Sequence, residues 1–502
     1  MNAALLPLVV AVPLIAAALA AVLPSRAARS GILIVTNVAA LGFGVLLVAQ
    51  TWDGAVLATN VGLWPNGIAI PFAADVFSGL MIVVTALLSI VCSWFGIAAG
   101  DDDRRYFAPL VLVLSAGVYG ALSTGDLFNL FVFIEVMLLP SYALIAIYGG
   151  TKRIAAGRLY VTTNLLTSTI FLLGVGLVYG VAGTVNIAEL AGAASDSPMV
   201  AAAGAVVLIA LSVKAAVVPV HGWLTQTYPN TSPAVRALFS GLHTKVAIYA
   251  IYRIYAVVFD GEQRYLWIAL LVTCATMLIG VFGAVGENDA RSILTFHMIS
   301  QIGYILLGVA LFGPIGVAAG IFYLLHHMIV KASLFLSAGA VQTTYGTDSL
   351  GRVTGLAKRE PLLAAAFFGA ALSLGGLPPF SGFVAKLTLV QAAVTERQYV
   401  AAAVTVVVSL LTLMSMLKIW KGMFMCNFSA PAPARTGWLP AAGVTTDEAV
   451  RTRIPVKLVL PAMVLTVVTL AVGVGAQGLM VLAQQAADGL VDPRPYIEAV
   501  LG

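Results

Sequence analysis

Apolar runs of about twenty residues alternate along the chain with short polar connections, and a run of that length is what a helix needs to cross the hydrocarbon of a bilayer. Fourteen such windows are present, at residues 3–23, 31–50, 76–99, 107–124, 127–148, 159–182, 200–220, 233–257, 265–285, 292–312, 315–341, 362–395, 400–424 and 456–483. The pattern predicts an all-α polytopic membrane protein with about fourteen transmembrane helices. No stretch makes a convincing strand, so no glycine-rich phosphate loop following a strand is expected. The apolar N-terminus lacks a basic leader and a clear small-residue cleavage site, which predicts a first membrane helix rather than a removed signal peptide.

Composition agrees. Of 502 residues, 61% are apolar and 9% charged, and the mean hydropathy is +1.01, too little charge to solvate a water-facing surface. The net charge of +5 raises the question of nucleic acid, but the basic residues are scattered between apolar runs rather than gathered in a patch, which excludes it. Cys92, Cys274 and Cys426 offer neither a disulfide framework nor a thiolate metal site. No His-Glu-x-x-His or Cys-x-x-Cys occurs, and adjacent His326 and His327 point to different faces of a helix, so no metal or other cofactor is expected.

Lysine and arginine resist translocation, so their distribution orients the chain. Connections from odd to even spans hold 18 of the 26, from Arg26 to Lys457 and including Arg236, Arg435 and Arg451; the opposite side has Arg253, Arg264, Arg397 and Arg494. Both termini are expected to face outward. Lys214, Lys245, Lys331 and Lys386 remain, each inside a predicted span, with Glu135 the one acid well within a span. An ionised group at mid-bilayer costs about 3 kcal/mol on insertion scales, so such groups persist where they face protein or water and have a task.

Two lysine-bearing spans also carry a break. Pro219 follows Lys214 by five residues, and Pro378 and Pro379 precede Lys386. Prolines there free backbone carbonyls at membrane depth. These broken spans, the seventh and twelfth, are an odd number apart and so run in opposite directions, which predicts two inverted five-helix repeats, spans 4–8 and 9–13, with ion sites near the midplane. The expected units are residues 1–99 (spans 1–3), 100–260 (first repeat), 261–425 (second repeat) and 426–502 (a cytoplasmic loop, span 14 and the tail). His221, His243, His297, His326 and His327 all lie in or beside spans. His327 shares a helix face with Lys331, and His297 with Gln301, compatible with either a proton relay or a structural pair.

The segments Asp126-Leu-Phe-Asn-Leu-Phe-Val-Phe-Ile-Glu135, Lys214-Ala-Ala-Val-Val-Pro219-Val-His221-Gly-Trp-Leu224, Ser300-Gln-Ile-Gly-Tyr304, His326-His327-Met-Ile-Val-Lys331-Ala-Ser-Leu-Phe335 and Leu377-Pro-Pro-Phe-Ser-Gly-Phe-Val-Ala-Lys386 carry a resemblance over nearly the whole chain. It resembles the antiporter-like membrane subunits shared by respiratory complex I, membrane-bound hydrogenases and Mrp-type Na+/H+ antiporters. Within these it looks most like the Mrp branch: there is no long C-terminal extension, and Lys386 stands where the M-type complex I subunit usually has glutamate. The resemblance implies that Glu135 pairs with Lys214, that Lys245, His327 and Lys331 form a relay, and that Lys386 is its terminal lysine. His221, His243, His297, His326 and Gln301 become candidate relay or gating groups, and Pro219, Pro378 and Pro379 the helix breaks. It further implies a secondary transporter subunit in a bacterial plasma membrane, working with other membrane subunits to exchange protons for Na+, with Li+ or K+ as possible substitutes. A proton-pumping subunit of a redox complex and a structural scaffold for a partner's transport site are the alternatives.

Overall fold

The computed structural model describes residues 2–65, 68–429 and 453–502. Arg435, Arg451 and most of the loop expected after residue 426 lie outside the described residues. Among the described residues fourteen crossings follow one another: α1 (Leu8–Val22), α2 (Arg26–Gln50), α3 (Val76–Ala99), α4 (Phe107–Ser123), α5 (Leu127–Ala146), α6 (Thr151–Ala182), α7 (Pro198–Lys214) with α8 (Gly222–Thr227), α9 (Pro233–Val257), α10 (Leu266–Gly286), α11 (Ala290–Ala310), α12 (Pro314–Tyr345), α13 (Pro361–Gly375) with α14 (Ser381–Thr395), α15 (Tyr399–Ile419) and α16 (Val456–Val474). Helix starts follow short polar side chains. Asp75, Asp126 and Ser232 each accept the backbone N–H three residues on, satisfying a donor that the helix cannot.

Two expectations need correction. A hairpin does exist, β1 (Leu57–Asn60) paired antiparallel with β2 (Pro71–Ala74), Leu57 opposite Ala74 and Asn60 opposite Pro71. Four-residue strands are too short to show alternation, so the pairing leaves no pattern in the sequence. The last predicted span also ends early, at Val474; past Gly475 the chain continues as a separate amphipathic helix, α17 (Ala476–Val491), and then α18 (Arg494–Leu501).

The repeat is visible in register. Helices α5 and α11 begin 163 residues apart (Leu127 and Ala290), as do α6 and α12 (Thr151 and Pro314), and the last two are both 32 residues long. The N-capping aspartates keep the same interval, Asp126 bridging to Asn186 and Asp289 to Ser349. At the two breaks the backbone also matches: Ala216 and Gly376 have φ of 59° and 86°, each three residues before a cis X-Pro proline, Pro219 and Pro379. Five crossings separate equivalent helices, so the repeats are inverted.

The buried centre is α9, α11 and α12. Every one of the 25 residues of α9 is buried although it carries Arg236, Lys245 and Arg253. It lies among protein rather than lipid, and Arg236 donates through Nε and Nη2 to the carbonyls of Tyr228 at 3.1 Å and Thr231 at 2.9 Å and to Gln342 at 3.1 Å. Arg236 and Arg253, grouped with the connections on sequence, therefore sit in the first and last turns of this helix. Glycines let the three helices close: a Cβ on Gly320 would stand 2.0 Å from the Tyr252 hydroxyl, which donates to Ile305 at 2.5 Å.

The hairpin, the N-terminal turn and α18 pack together on one face. On the other lie Arg26 with Asp102 at 2.5 Å, Arg291 with Asp348 at 3.4 Å, and Asp101, which accepts from the α9 cap Ser232 at 3.2 Å. Burial pushes the Asp101 carboxyl from its ordinary 3.8 up to about 6, against the opposing pull of the Tyr148 and Ser232 hydroxyls. A carboxyl raised in the native state supports folding where it is protonated, so its contribution falls as pH climbs through that interval and stays lost above it. Asp101→Asn is expected to stabilise the purified protein at about pH 8 by on the order of 3 kcal/mol at most, read as a higher thermal midpoint, and to change the midpoint little near pH 4. Equal midpoints at both pH values would contradict this.

Candidate functional site

Each of the two breaks has a lysine beside it, Lys214 at the first and Lys386 after the second. Lys214 is the last residue of α7, not a mid-helix residue as the span boundaries predict; the turn at Ala215–Pro219 ends the helix directly after it. Its Nζ lies 3.9 Å from Glu135 Oε1 on α5 and donates to Ser168 Oγ on α6 at 3.0 Å. Ser168 in turn donates to the same Glu135 oxygen. One hydroxyl thus bridges a loosely held ion pair. The Lys214 side chain is 5% exposed and that of Glu135 21% exposed, so the carboxylate is the member of the pair nearer solvent or a neighbouring molecule.

Beside this pair, His243 Nδ1 on α9 meets the Tyr160 hydroxyl at 3.0 Å, and Tyr160 accepts from Ser141 at 3.2 Å. Two residues on, Lys245 is fully buried, with Thr244 Oγ1 at 3.0 Å. Next come His327 and Lys331, one turn apart on α12 and wholly buried. Lys331 Nζ lies 5.5 Å from the Phe335 ring.

The far end is the second break. Lys386 Nζ, on α14, donates to the Gly375 carbonyl at 3.1 Å and to Ser409 at 2.9 Å, and sits 5.4 Å from the Tyr304 ring. That carbonyl is available because α13 ends there, and the turn at Gly376 is filled by the lysine stem: a Cβ on Gly376 would lie 2.7 Å from Lys386 Cδ. Tyr304 stacks on Tyr323 at 5.1 Å, and Tyr323 donates to Gln301. His297 Nε2 meets Ser415 at 2.5 Å, while His326 Nδ1 meets Ser381 at 2.7 Å, at the head of α14. His221, at the head of α8, is only partly buried and is not among the groups bonded into this series.

Several buried polar atoms along the series have no protein partner among the described residues: His243 Nε2, both His327 nitrogens, Lys331 Nζ, His326 Nε2, His297 Nδ1 and Gln301 Nε2. Such atoms are rare in proteins and cost several kcal/mol in a dry interior, which is why ordered water occupies such places. One, on His243, is beside the Lys214 end; the rest are on α11 and α12, the helices that carry His297, Gln301, His326, His327 and Lys331. The arrangement can hold excess protons on separated basic groups, with hydroxyls and water between them. Lysines and histidines were legible in the sequence because they are rare in apolar runs; Ser168, Tyr160, Ser381 and Ser409 were not, since serine and tyrosine are common there and only contact distinguishes them.

The chain is similar to known proteins over most of its length. Residues 124–412 match the model of the NADH:quinone oxidoreductase/Mrp antiporter transmembrane family. The D-type subunit of the Na(+)/H(+) antiporter of Alkalihalophilus pseudofirmus is 37% identical over 464 residues, covering 91% of each chain. A chain in the structure of the Mrp complex from Dietzia sp. is 54% identical with a TM-score of 0.94, covering 100% of this chain and 99% of that one. A chain of the archaeal membrane-bound sulfane sulfur reductase superposes with a TM-score of 0.87 at 26% identity, covering 99% of each.

Hydrogen bonds to charged groups are worth about 1.5–3 kcal/mol, so loss of the Ser168 hydroxyl should matter at the Lys214 and Glu135 pair. Ser168→Ala is expected to slow proton movement in reconstituted vesicles about tenfold or more, with Ser168→Thr close to wild type. An unchanged rate in Ser168→Ala would show that the hydroxyl bridge is idle.

Proposed function

The chain belongs to the NADH:quinone oxidoreductase/Mrp antiporter family of multi-pass membrane subunits, in which it is a D-type subunit of an Mrp-type Na+/H+ antiporter, and we propose that it carries the proton half of the exchange along its buried row. The observation that carries the proposal is the pairing of two helix breaks with two lysines. Lys214, bridged through Ser168 to Glu135, stands at one, and Lys386, held by a freed carbonyl, at the other. Lys245, His327 and Lys331 lie between, with His243, His326, His297 and Gln301 as flanking groups. It acts as one member of a hetero-oligomeric membrane complex, not as an enzyme.

The physics of the path is charge displacement. Two unit charges about 4 Å apart interact by about 4 kcal/mol at an effective dielectric of about 20, equivalent to about three powers of ten in an equilibrium. Making or breaking the Glu135 and Lys214 pair therefore decides where the next positive charge can rest. A proton placed on Lys245 or His327 repels the one ahead of it, and the row discharges at Lys386 to drive Na+ export elsewhere in the complex. Li+ and K+ are candidate substitutes for Na+. The face holding both termini is the outer one in this reading, since 18 basic residues fall on the opposite connections. The membrane is the bacterial plasma membrane. Units 1–99, 100–260, 261–425 and 426–502 serve as lead-in, two half-channels and cap. A redox-driven role has less support, because the sulfane sulfur reductase chain is 26% identical against 54% for the Mrp complex chain.

Glu135→Ala and Lys214→Ala are each expected to abolish Na+-dependent dissipation of a pH gradient in inverted vesicles while native gels show the complex assembled. Lys386→Ala should do the same, and Lys386→Glu should retain exchange because a titratable group remains. Wild-type exchange in an assembled Lys214→Ala complex would overturn the proposal and leave the scaffold reading standing.

A further inference from the structure

A second polar series leaves the row at Lys245 and runs toward the face that holds the termini. Lys245, Tyr249 and Arg253 recur every fourth residue of α9, share one helix face and are all buried. Nearby, α3 contributes its cap Asp75, then Ser78 and, two turns deeper, Thr85, whose buried hydroxyl has no partner among the described residues. Ser78 Oγ lies 2.7 Å from the Tyr249 hydroxyl and donates to Asp75 Oδ1 at 3.1 Å. Arg253 Nη2 reaches Asp75 Oδ2 at 2.5 Å and Tyr249 at 3.4 Å. The Tyr249 hydroxyl also lies 2.9 Å from the Leu122 carbonyl, so its proton can turn to that carbonyl or, along the series, to Ser78.

The C-terminal helix closes the outer end. Tyr496 of α18 is 3% exposed, and its ring lies 4.7 Å from the Arg253 guanidinium. Asp75, Tyr496 and Gln485 of α17 line a cavity of about 20 Å³, room for a single water. Gln485 Oε1 is buried without a partner among the described residues, and with Asp75 it gives this cavity the polar lining a water needs; Arg253 Nη1 is likewise without a partner.

We infer that this cluster is a proton gate between Lys245 and the terminus-bearing face, with Tyr249 as relay hydroxyl, the Arg253 and Asp75 pair as electrostatic barrier and Tyr496 as its lid. A hydroxyl relay takes up one proton as it releases another and ends neutral, so Tyr249 and Ser78 can pass a proton without becoming ionised. The guanidinium, held in place by Asp75 and the Tyr496 ring, repels an excess proton until the lid moves. Two of these elements, α17 and α18, lie beyond the repeats, giving the tail a role that neither half-channel supplies. The inference rests on Lys245 belonging to the row.

The test is the collapse of an imposed pH gradient in inverted vesicles bearing the assembled complex, measured without Na+. Tyr496→Ala is expected to raise this leak about tenfold, as when the loss of a desolvated cation–π contact lowers the barrier by about 1.4 kcal/mol. Tyr496→Phe, which keeps the ring, should restore the wild-type value. Tyr496→Leu fills a similar volume without a π face and should leak like the alanine variant, carrying the test where alanine loosens the fold. Adding Lys245→Ala or Tyr249→Phe to Tyr496→Ala should return the leak to the wild-type level. A wild-type leak in assembled Tyr496→Ala and Tyr496→Leu overturns the gate, as does a leak that survives Lys245→Ala. Wild-type Na+-driven exchange in the Lys245→Ala single variant would instead remove Lys245 from the row, an outcome separable from failure of the lid.

Discussion

A positive charge at mid-membrane must be solvated by something other than lipid, and this constraint organises the rest of the molecule. It explains why α9, the most basic of the central helices, is also buried along its whole length, with lipid kept from it by surrounding helices. It also explains why the backbone is broken where it is. A continuous helix offers no spare carbonyl, whereas the end of α13 at Gly375 gives one to Lys386, and the end of α7 places Lys214 between a carboxylate and a hydroxyl.

The two breaks serve the same need by opposite arrangements. Lys214 precedes its break and is matched to an acid through Ser168; Lys386 follows its break and is matched to dipoles, the Gly375 carbonyl, Ser409 and the Tyr304 ring. An ion pair can be made or unmade as a neighbour charges, while a dipole cage holds a charge with little change. Inversion of the repeats therefore gives the row one end suited to switching and another suited to holding, a directionality that a pair of identical half-channels would lack. Because a buried ion pair contributes little to stability on balance, its presence at one end is better understood through what it switches.

The crossings were legible because lipid imposes one simple rule, a long apolar run, and lysines that violate that rule announce themselves. Even α9, dense in charge, keeps enough apolar positions to be seen. Lost to sequence reading were the features that depend on contact at a distance: the β1 and β2 hairpin, the separation of α17 from α16 at Gly475, and the position of Lys214 at a helix end rather than inside one. Pro219 foretold a break, but not that the helix would stop five residues earlier; the turn through Ala216 consumes those residues. Ser168 bonds to partners 33 and 46 residues away, and no local pattern could single it out from the other serines of the apolar runs. His221, at the head of α8 just past the break, is partly buried, with its Nδ1 buried and without a partner among the described residues.

The proposed proton row requires a continuous wet stretch from Lys245 to Lys386, with ordered water where protein partners are lacking among the described residues. A cryo-electron microscopy map of the assembled complex, at a resolution that shows ordered water, tests this directly. Water is expected within about 3.2 Å of Lys331 Nζ and of both His327 nitrogens, linked onward to Lys245 and to Lys386. A dry, apolar gap on either side of Lys331 would contradict it.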